Sequence, residues 1–146
     1  MSVVETTIDL GAPPQTVWDL VMDPHRLHEW VTIHRRLGHV DSGPPRRGFE
    51  MEQVINLRGV TIKVSWTLAD CRPGELAVWE GRGPARSTAH TEYRLSPAGD
   101  GGTRFAYRNE FIAPLGPLGA AVSRALVGGI PRREADRSLD RLQALV

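Results

Sequence analysis

The fold is decided by residues 6–30, which read TTIDLGAPPQTVWDLVMDPHRLHEW. Alternating apolar and polar residues over 3–10 predict a half-buried strand. Pro13-Pro14 ends this strand, because proline cannot donate to a sheet hydrogen-bond ladder yet suits the first turn of a helix. The helix predicted to start there buries Val17, Leu20 and Val21 on one face and ends at Asp23-Pro24. A second short helix, over about 24–29, then carries Trp30 back to the body of the protein.

This order of strand, Ala-Pro, Val-Trp helix, Asp-Pro and tryptophan resembles the start of the START-like polyketide cyclase/dehydrase and lipid transport superfamily (SRPBCC). The resemblance continues through Gly101-Gly102-Thr103-Arg104-Phe105 and the amphipathic C-terminal helix, so that it covers essentially the whole chain. It implies an α+β helix-grip fold, in which a curved seven-stranded antiparallel sheet surrounds a long C-terminal helix, with two short helices after the first strand. Residues 1–146 are expected to form a single START-like helix-grip domain. Such folds host both binding proteins and enzymes, so the resemblance leaves the function open.

Six further strands are predicted between turns rich in glycine and proline, over about 37–42, 48–57, 60–69, 75–81, 86–96 and 103–113. A two-residue turn at Arg58-Gly59 sets the register of one hairpin. It pairs Leu57, Ile55, Gln53, Met51 and Phe49 with Val60, Ile62, Val64, Trp66 and Leu68, respectively. The hairpin around residues 99–102 pairs Leu95, Tyr93, Thr91 and Ala89 with Phe105, Tyr107, Asn109 and Phe111. Its opposite face pairs Glu92 with Arg108 and His90 with Glu110, which is favourable because opposite charges face each other.

The facing of strand 75–81 is left open by the pattern, since either Trp79 or Glu80 can point inward. We favour Trp79 inward, with Trp66 as its cross-strand partner and Glu80 in water. The opposite choice would place a carboxylate at the inner face.

The C-terminal segment repeats apolar residues at helical spacing, namely Leu118, Val122, Ala125 and Leu126, then Ala135, Leu139, Leu142 and Val146. Gly128-Gly129-Ile130-Pro131 interrupts this pattern, because an interior glycine costs about 1 kcal/mol and an interior proline about 3 kcal/mol relative to alanine. We expect a short helix over about 115–127, a break, and a main helix from about 131 with Pro131 in its first turn. The segment 112–130 is then either a lid over a cavity or a static break.

The inner face of the predicted sheet combines bulky side chains with small ones, so a cavity between sheet and helix is expected. Its expected lining consists of Trp30, Phe49, Met51, Trp66, Trp79, Thr91, Tyr93, Tyr107, Asn109, Phe111, Leu118, Val122 and Leu126. The inward polar groups would be Thr91, Asn109 and the two tyrosine hydroxyls. Asn109 either contacts a ligand or satisfies a backbone group.

Motifs of familiar enzymes are absent: the sequence has no Gly-x-Ser-x-Gly elbow, phosphate loop, His-Glu-x-x-His or Gly-x-Gly-x-x-Gly. His25 and His28 stand three apart on a predicted helix, but no second Cys or His cluster completes a ligand set. We expect surface histidines there, with no metal and no cofactor. His90 and Glu110 are predicted to point away from the cavity as a surface pair, and Cys71 is predicted to lie in a turn.

The composition argues against two classes of binding partner. A net charge of +1 is too small to attract nucleic acid or an anionic membrane electrostatically. Residues 115–130 fall short of the roughly 20 residues of a membrane span and contain Arg124, so we expect no stable membrane insertion. The single Cys71 excludes an internal disulfide, and without a signal pattern the expected location is cytoplasmic. The oligomeric state does not follow from the sequence.

Together these features predict a protein that binds a small, largely apolar ligand, such as a lipid, a polyketide-like compound or an aromatic compound. The alternative is an enzyme, a polyketide aromatase/cyclase or dehydratase in which Arg82, Tyr93, Tyr107 and Asn109 steer proton transfer. A second alternative is a protein-interaction module, which a cavity filled by side chains would favour.

Overall fold

The computed structural model describes residues 2–112 and 128–146. Strands in this part of the chain are β1 (Ser2–Leu10), β2 (His34–Val40), β3 (Glu50–Leu57), β4 (Val60–Arg72), β5 (Leu76–Arg82), β6 (Thr88–Pro97) and β7 (Thr103–Ile112). The α-helices within the same two ranges are α1 (Pro14–Val21), α2 (Leu27–Trp30) and α3 (Arg132–Leu145). Short 3-10 turns occupy Pro24–Arg26, Pro84–Arg86 and Gly99–Gly101.

The strands form one antiparallel sheet in the order β1-β7-β6-β5-β4-β3-β2. This curved sheet packs its inner face against α3, which also contacts β1 and α2. A hydrogen bond of 2.8 Å from Thr6 Oγ1 to Asp136 Oδ1 joins β1 to α3. The α+β helix-grip architecture, with two short helices after the first strand, is confirmed.

Both predicted hairpin registers are confirmed residue by residue. Arg58 and Gly59 both have positive φ values, 48° and 80°, as a two-residue turn of the mirror-image type requires. This turn matches the twist of its strands, so β3 and β4 place Met51, Ile55 and their partners on one buried face.

Strand β4 is longer than predicted and carries a bulge, which changes the pairing with β5. The register shifts between Leu68 and Asp70. Because β4 extends to Arg72, Cys71 lies within the strand opposite Ala77 instead of in a turn. Trp79 is inward and 4% exposed, as predicted, and Glu80 faces water. The expected pairing of Trp79 with Trp66 is wrong, because Trp79 faces Leu68 across the ladder.

The charged side chains of the outer face lie in the predicted register, but they form ion pairs with residues other than the predicted ones. His90 contacts Glu80 at 2.5 Å and Glu92 at 2.9 Å, in place of Glu110. Arg108 contacts Glu5 and Glu110, in place of Glu92. His90 and Arg108 each lie on a strand that is paired on both sides. Glu80 on β5 faces His90, and Glu5 on β1 faces Arg108, so each side chain has an alternative carboxylate partner.

Helix α3 begins at Arg132, so Pro131 is the N-cap residue and not part of the first turn. Ala135, Leu139 and Leu142 are buried as predicted, whereas Val146 is 36% exposed because it follows the last helical turn. Leu118, Val122, Ala125, Leu126 and the predicted helix over 115–127 lie outside the described residues.

Gly128 and Gly129, which precede α3, lie next to Arg58 of the β3–β4 turn. Arg58 Nη1 donates to the Gly129 carbonyl at 2.7 Å, and Gly129 has a φ of 60°. A Cβ at Gly128 would lie 2.5 Å from Arg58 Nη2. Alanine at these positions would therefore strain or displace this contact. Most of the segment 112–130, predicted to be a lid or a static break, lies outside the described residues.

Candidate functional site

A cavity of about 60 Å³ lies between the inner face of the sheet, α2 and α3. Most of the residues expected there do line it, namely Trp30, Met51, Trp66, Trp79, Thr91, Tyr93, Tyr107, Asn109 and Phe111. They come from α2 and from β3 to β7, so that only the folded sheet brings them together.

Phe49 is buried but does not line this cavity. Its ring packs edge-on against Trp79, with ring centroids 6.2 Å apart, beneath an external groove that Trp18 and Met22 also line. It precedes β3 and belongs to the part of the core under α1. The predicted lining residues Leu118, Val122 and Leu126 fall outside the described residues.

Sequence reasoning missed three polar residues of the lining, Thr32, Gln53 and Ser138. It also missed apolar ones: Leu27, Val31, Ile33, Ile55, Ile130, Ala135 and Leu139. Gln53 had a signal, because the predicted register already placed it inward opposite Val64. Thr32 had none, since it lies in the connection between α2 and β2, where no periodicity indicates direction.

Gln53 makes hydrogen bonds within the protein through both of its polar atoms. Its Oε1 accepts a hydrogen bond of 2.9 Å from Trp66 Nε1, and its Nε2 lies 3.0 Å from His34 Nδ1. Burial, followed by repulsion from His28 and Arg35, lowers the pKa of His34 and favours the neutral ring that can accept this bond. Gln53 thus orients Trp66 on the cavity wall.

Asn109 and Trp30 are different, because each buries a polar atom without a hydrogen-bond partner among the described residues. Asn109 Nδ2 donates to Thr91 Oγ1 at 2.6 Å, but its Oδ1 accepts nothing. Trp30 Nε1 is a donor with no acceptor. Both side chains line the cavity, which therefore presents one unused acceptor and one unused donor.

Two neighbouring phenols complete the polar side of the cavity. The rings of Tyr93 and Tyr107 are 6.1 Å apart. Burial raises the pKa of both hydroxyls far above 10, so both are neutral at physiological pH. For Tyr107, nearby Tyr93 adds to the rise in pKa, and a hydrogen bond with Asn109 partly offsets it.

No Asp, Glu, His, Lys, Arg or Cys is found among the described lining residues. Arg82, which the enzyme alternative placed inward, is exposed on the outer face opposite Ser65. The part of the lining that the structure describes therefore holds no group that changes charge near neutral pH.

Gly81 lies beside Trp66, one of the residues that line the cavity. It faces Trp66 across the β4–β5 ladder, and a Cβ at this position would lie 2.8 Å from two atoms of the indole ring. Because Gly81 has no side chain, the Trp66 ring can pack close to strand β5.

The cavity is small for an organic ligand. An engineered protein cavity that binds benzene has a volume of about 150 Å³, more than twice the 60 Å³ found here. A ligand as large as one aromatic ring therefore requires side chains of the wall to move. Met51 is suited to this, because its unbranched side chain adopts many shapes.

Neither a metal site nor a membrane-spanning helix is found in residues 2–112 and 128–146. Within these ranges no group of three His, Cys, Asp or Glu side chains could hold a metal ion. No helix in the same ranges is long and apolar enough to cross a membrane.

Comparison with known proteins gives a family match over the whole chain. A family model described as polyketide cyclase/dehydrase and lipid transport matches residues 1–146. A curated relative, Toxin Rv0910 of Mycobacterium tuberculosis, is 26% identical over 127 residues, which are 86% of this chain and 88% of the relative.

Solved structures share the fold at lower sequence identity. The Zhui aromatase/cyclase from Streptomyces sp. R1128 superposes with a TM-score of 0.76 at 15% identity, covering 98% of this chain and 92% of the other. A START superfamily protein from Mycobacterium smegmatis gives a TM-score of 0.73 at 13% identity, covering 100% of both chains.

Proposed function

Because this chain belongs to the polyketide cyclase/dehydrase and lipid transport family, we propose that it binds a small, largely apolar ligand in the cavity between the sheet and α3. The ligand carries at least one hydrogen-bonding group. Binding, and not catalysis, is the primary activity in this proposal.

The observation that carries the proposal is the pair of unpartnered polar atoms, Asn109 Oδ1 and Trp30 Nε1. Leaving a buried polar group without a partner costs about 1–3 kcal/mol. Such groups are rare in native structures, and a bound molecule that pairs with them is a physical reason for their presence. A hydroxyl group fits both atoms chemically, because it accepts a hydrogen bond from an indole N–H and donates one to an amide oxygen.

The rest of the described lining supports a ligand that is mainly apolar. Aromatic rings of Trp66, Trp79 and Phe111 face the space, with aliphatic side chains from β3, α2 and α3 around them. Small-molecule sites typically combine such walls with a few polar groups that fix orientation.

An aromatase/cyclase or dehydratase activity is the second candidate. It is favoured by the fold shared with the Zhui aromatase/cyclase and by the two neutral phenols. Tyr93 and Tyr107 can donate hydrogen bonds to a substrate carbonyl, as stabilisation of a developing enolate requires. General acid–base catalysis near pH 7 has no suitable group in the described lining, so binding is the better-supported function.

Calorimetric titration with phenol and toluene tests the proposal, because phenol has the hydroxyl group that toluene lacks. We expect phenol to bind one-to-one and more tightly than toluene. Trp30→Phe removes the unused indole donor and should weaken phenol binding roughly fivefold, with little effect on toluene. Trp18→Phe is the matched control, since Trp18 is equally buried but does not line the cavity.

Native mass spectrometry of the purified protein, followed by extraction, should identify any compound that is retained. The proposal fails if neither phenol nor toluene binds and no small molecule accompanies the protein. Conversion of a linear poly-β-ketone by the wild type but not by Tyr93→Phe would establish the second candidate instead.

A further inference from the structure

A recess of about 210 Å³, open to solvent, adjoins the cavity. Thr32 and Ile33 line both spaces, so the connection between α2 and β2 is their shared wall. The other sides of the recess are the β3–β4 turn and the first turn of α3, with Arg58 and Arg133 among their residues.

The recess is strongly positive. Among its described lining residues, three are arginines (Arg35, Arg58 and Arg133) and one is an acid (Glu134), which gives this part of the lining a formal charge of +2. Thr32, Asn56 and the remaining lining residues are uncharged. This charge contrasts with the nearly neutral chain, whose net charge is +1.

The single acid is already engaged by other groups. Glu134 Oε2 accepts a hydrogen bond of 2.5 Å from Thr32 Oγ1, and Oε1 lies 3.4 Å from Arg137 Nη1. Among the described residues, neither Arg35 nor Arg133 forms an ion pair with a carboxylate. Arg35 donates only to main-chain carbonyls, those of Thr32 and His34.

We propose that this recess binds the carboxylate of an amphipathic ligand whose apolar part occupies the cavity, an inference that rests on the proposed function above. Guanidinium groups suit this role because their planar fork matches the two oxygens of a carboxylate. Arg35 and Arg133 are the residues assigned to it, and both are exposed to solvent, where an incoming anion can reach them.

The sizes of the two spaces support one ligand spanning both. The cavity alone, at 60 Å³, holds only a few atoms, whereas the adjoining recess has room for a head group. An alkyl chain is slim enough to enter a narrow cavity, and its carboxylate would remain in the hydrated recess. Thr32 lies in the wall between the two spaces, where its hydroxyl donates to Glu134, so a ligand that spans both spaces requires Thr32 to move.

Sodium octanoate and 1-octanol are suitable probes, because they share an eight-carbon chain and differ in the charge of the head group. Binding can be followed by intrinsic fluorescence, since Trp30, Trp66 and Trp79 line the cavity. We expect octanoate to bind roughly fivefold or more tightly than octanol, and this preference to decrease in 0.5 M NaCl, because salt screens exposed charges.

The variants Arg35→Gln and Arg133→Gln should each weaken octanoate binding by roughly threefold to fivefold, and the double variant should abolish the preference for octanoate. Octanol binding should change by less than about twofold, as for any neutral ligand. Arg141→Gln is the matched control, because Arg141 is exposed on the same helix but lines neither space.

The outcomes separate this inference from the proposed function. If both probes bind and the arginine variants change neither affinity, the recess is not the head-group site, although the cavity still binds ligands. If octanol binds and octanoate does not, the inference is likewise overturned. If neither probe binds and phenol also fails, the proposed function itself is wrong.

Discussion

Replacing both members of the buried Thr91–Asn109 pair should stabilise the protein while weakening its binding site. The double variant Thr91→Val/Asn109→Leu keeps nearly the same shapes and removes every polar atom of the pair. It abolishes the 2.6 Å hydrogen bond, a loss of about 1 kcal/mol, and it removes the unpartnered Oδ1, whose burial costs about 1–3 kcal/mol. The net expectation is a gain of about 0–2 kcal/mol in the free energy of unfolding, towards the lower end because Asn109 also interacts with the Tyr107 hydroxyl.

The single variants should behave differently from the double variant, because each leaves one partner buried and unpaired. Asn109→Leu strands the Thr91 hydroxyl but relieves the burial of Oδ1, so we expect a change within about 1 kcal/mol of zero. Thr91→Val removes the hydroxyl that accepts the hydrogen bond from Asn109 Nδ2, while the Asn109 amide stays buried. This substitution should lower the free energy of unfolding by about 1–3 kcal/mol. The two substitutions are therefore expected to be non-additive, as for residues in direct contact.

Urea denaturation monitored by circular dichroism measures these differences, provided that the slope with urea stays constant. Thr103→Val is the matched control, because the Thr103 hydroxyl is equally buried but donates to the Ala12 carbonyl at 2.7 Å, away from the cavity. It should destabilise by about 1–3 kcal/mol and leave phenol binding unchanged. A double variant that is more than about 1 kcal/mol less stable than the wild type, with phenol affinity intact, would refute the reasoning and make the pair purely structural.

Two further expectations concern the sheet. Gly81→Ala should cost about 1–3 kcal/mol and shift the tryptophan emission, since its Cβ would lie 2.8 Å from the Trp66 ring, whereas Gly11→Ala, with no atom within 4 Å, should be nearly neutral in urea denaturation. Partial burial disfavours the charged His90 ring, but the hydrogen bonds that this ring donates to the carboxylates of Glu92 and Glu80 outweigh this and raise the pKa of His90 above 6.5. Its stabilising effect is then fully present below about pH 6.5 and is lost as the pH rises through the higher folded-state pKa. The stability difference between wild type and His90→Gln should accordingly shrink from pH 6 to pH 9, and a difference that stays constant or grows would contradict the Glu80–His90–Glu92 contact.

Much of the fold was predictable because it depends on local chemistry. The proline pair, the Val-Trp helix and the turn at Arg58-Gly59 each act within a few residues, and they set the element order and the register of β3–β4. Once two strands are in register, the period of two decides which side chains face inward, so Asn109 could be placed on the inner face from the sequence.

The bulge in β4 marks one limit of such reasoning. A single unpaired residue at Ala69 shifts the β4–β5 register by one position, and nothing in the local pattern signals it. Bulges are set by how the whole sheet bends, which is a property of all its strands together. Ion-pair partners are similarly undetermined, because His90 and Arg108 each lie between two strands and choose among several carboxylates.

The sequence by itself determined the family resemblance, the register of two hairpins and the apolar character of the inner face. Only the tertiary structure decided that the cavity is about 60 Å³, that Asn109 and Trp30 each bury there a polar atom without a partner among the described residues, and that Arg35, Arg133 and Thr32 line one recess. The physical reason is that volume and hydrogen-bond satisfaction depend on residues far apart in the chain. Arg35 and Arg133 are almost a hundred positions apart in sequence, and they share one recess only because α3 packs across the sheet beside α2.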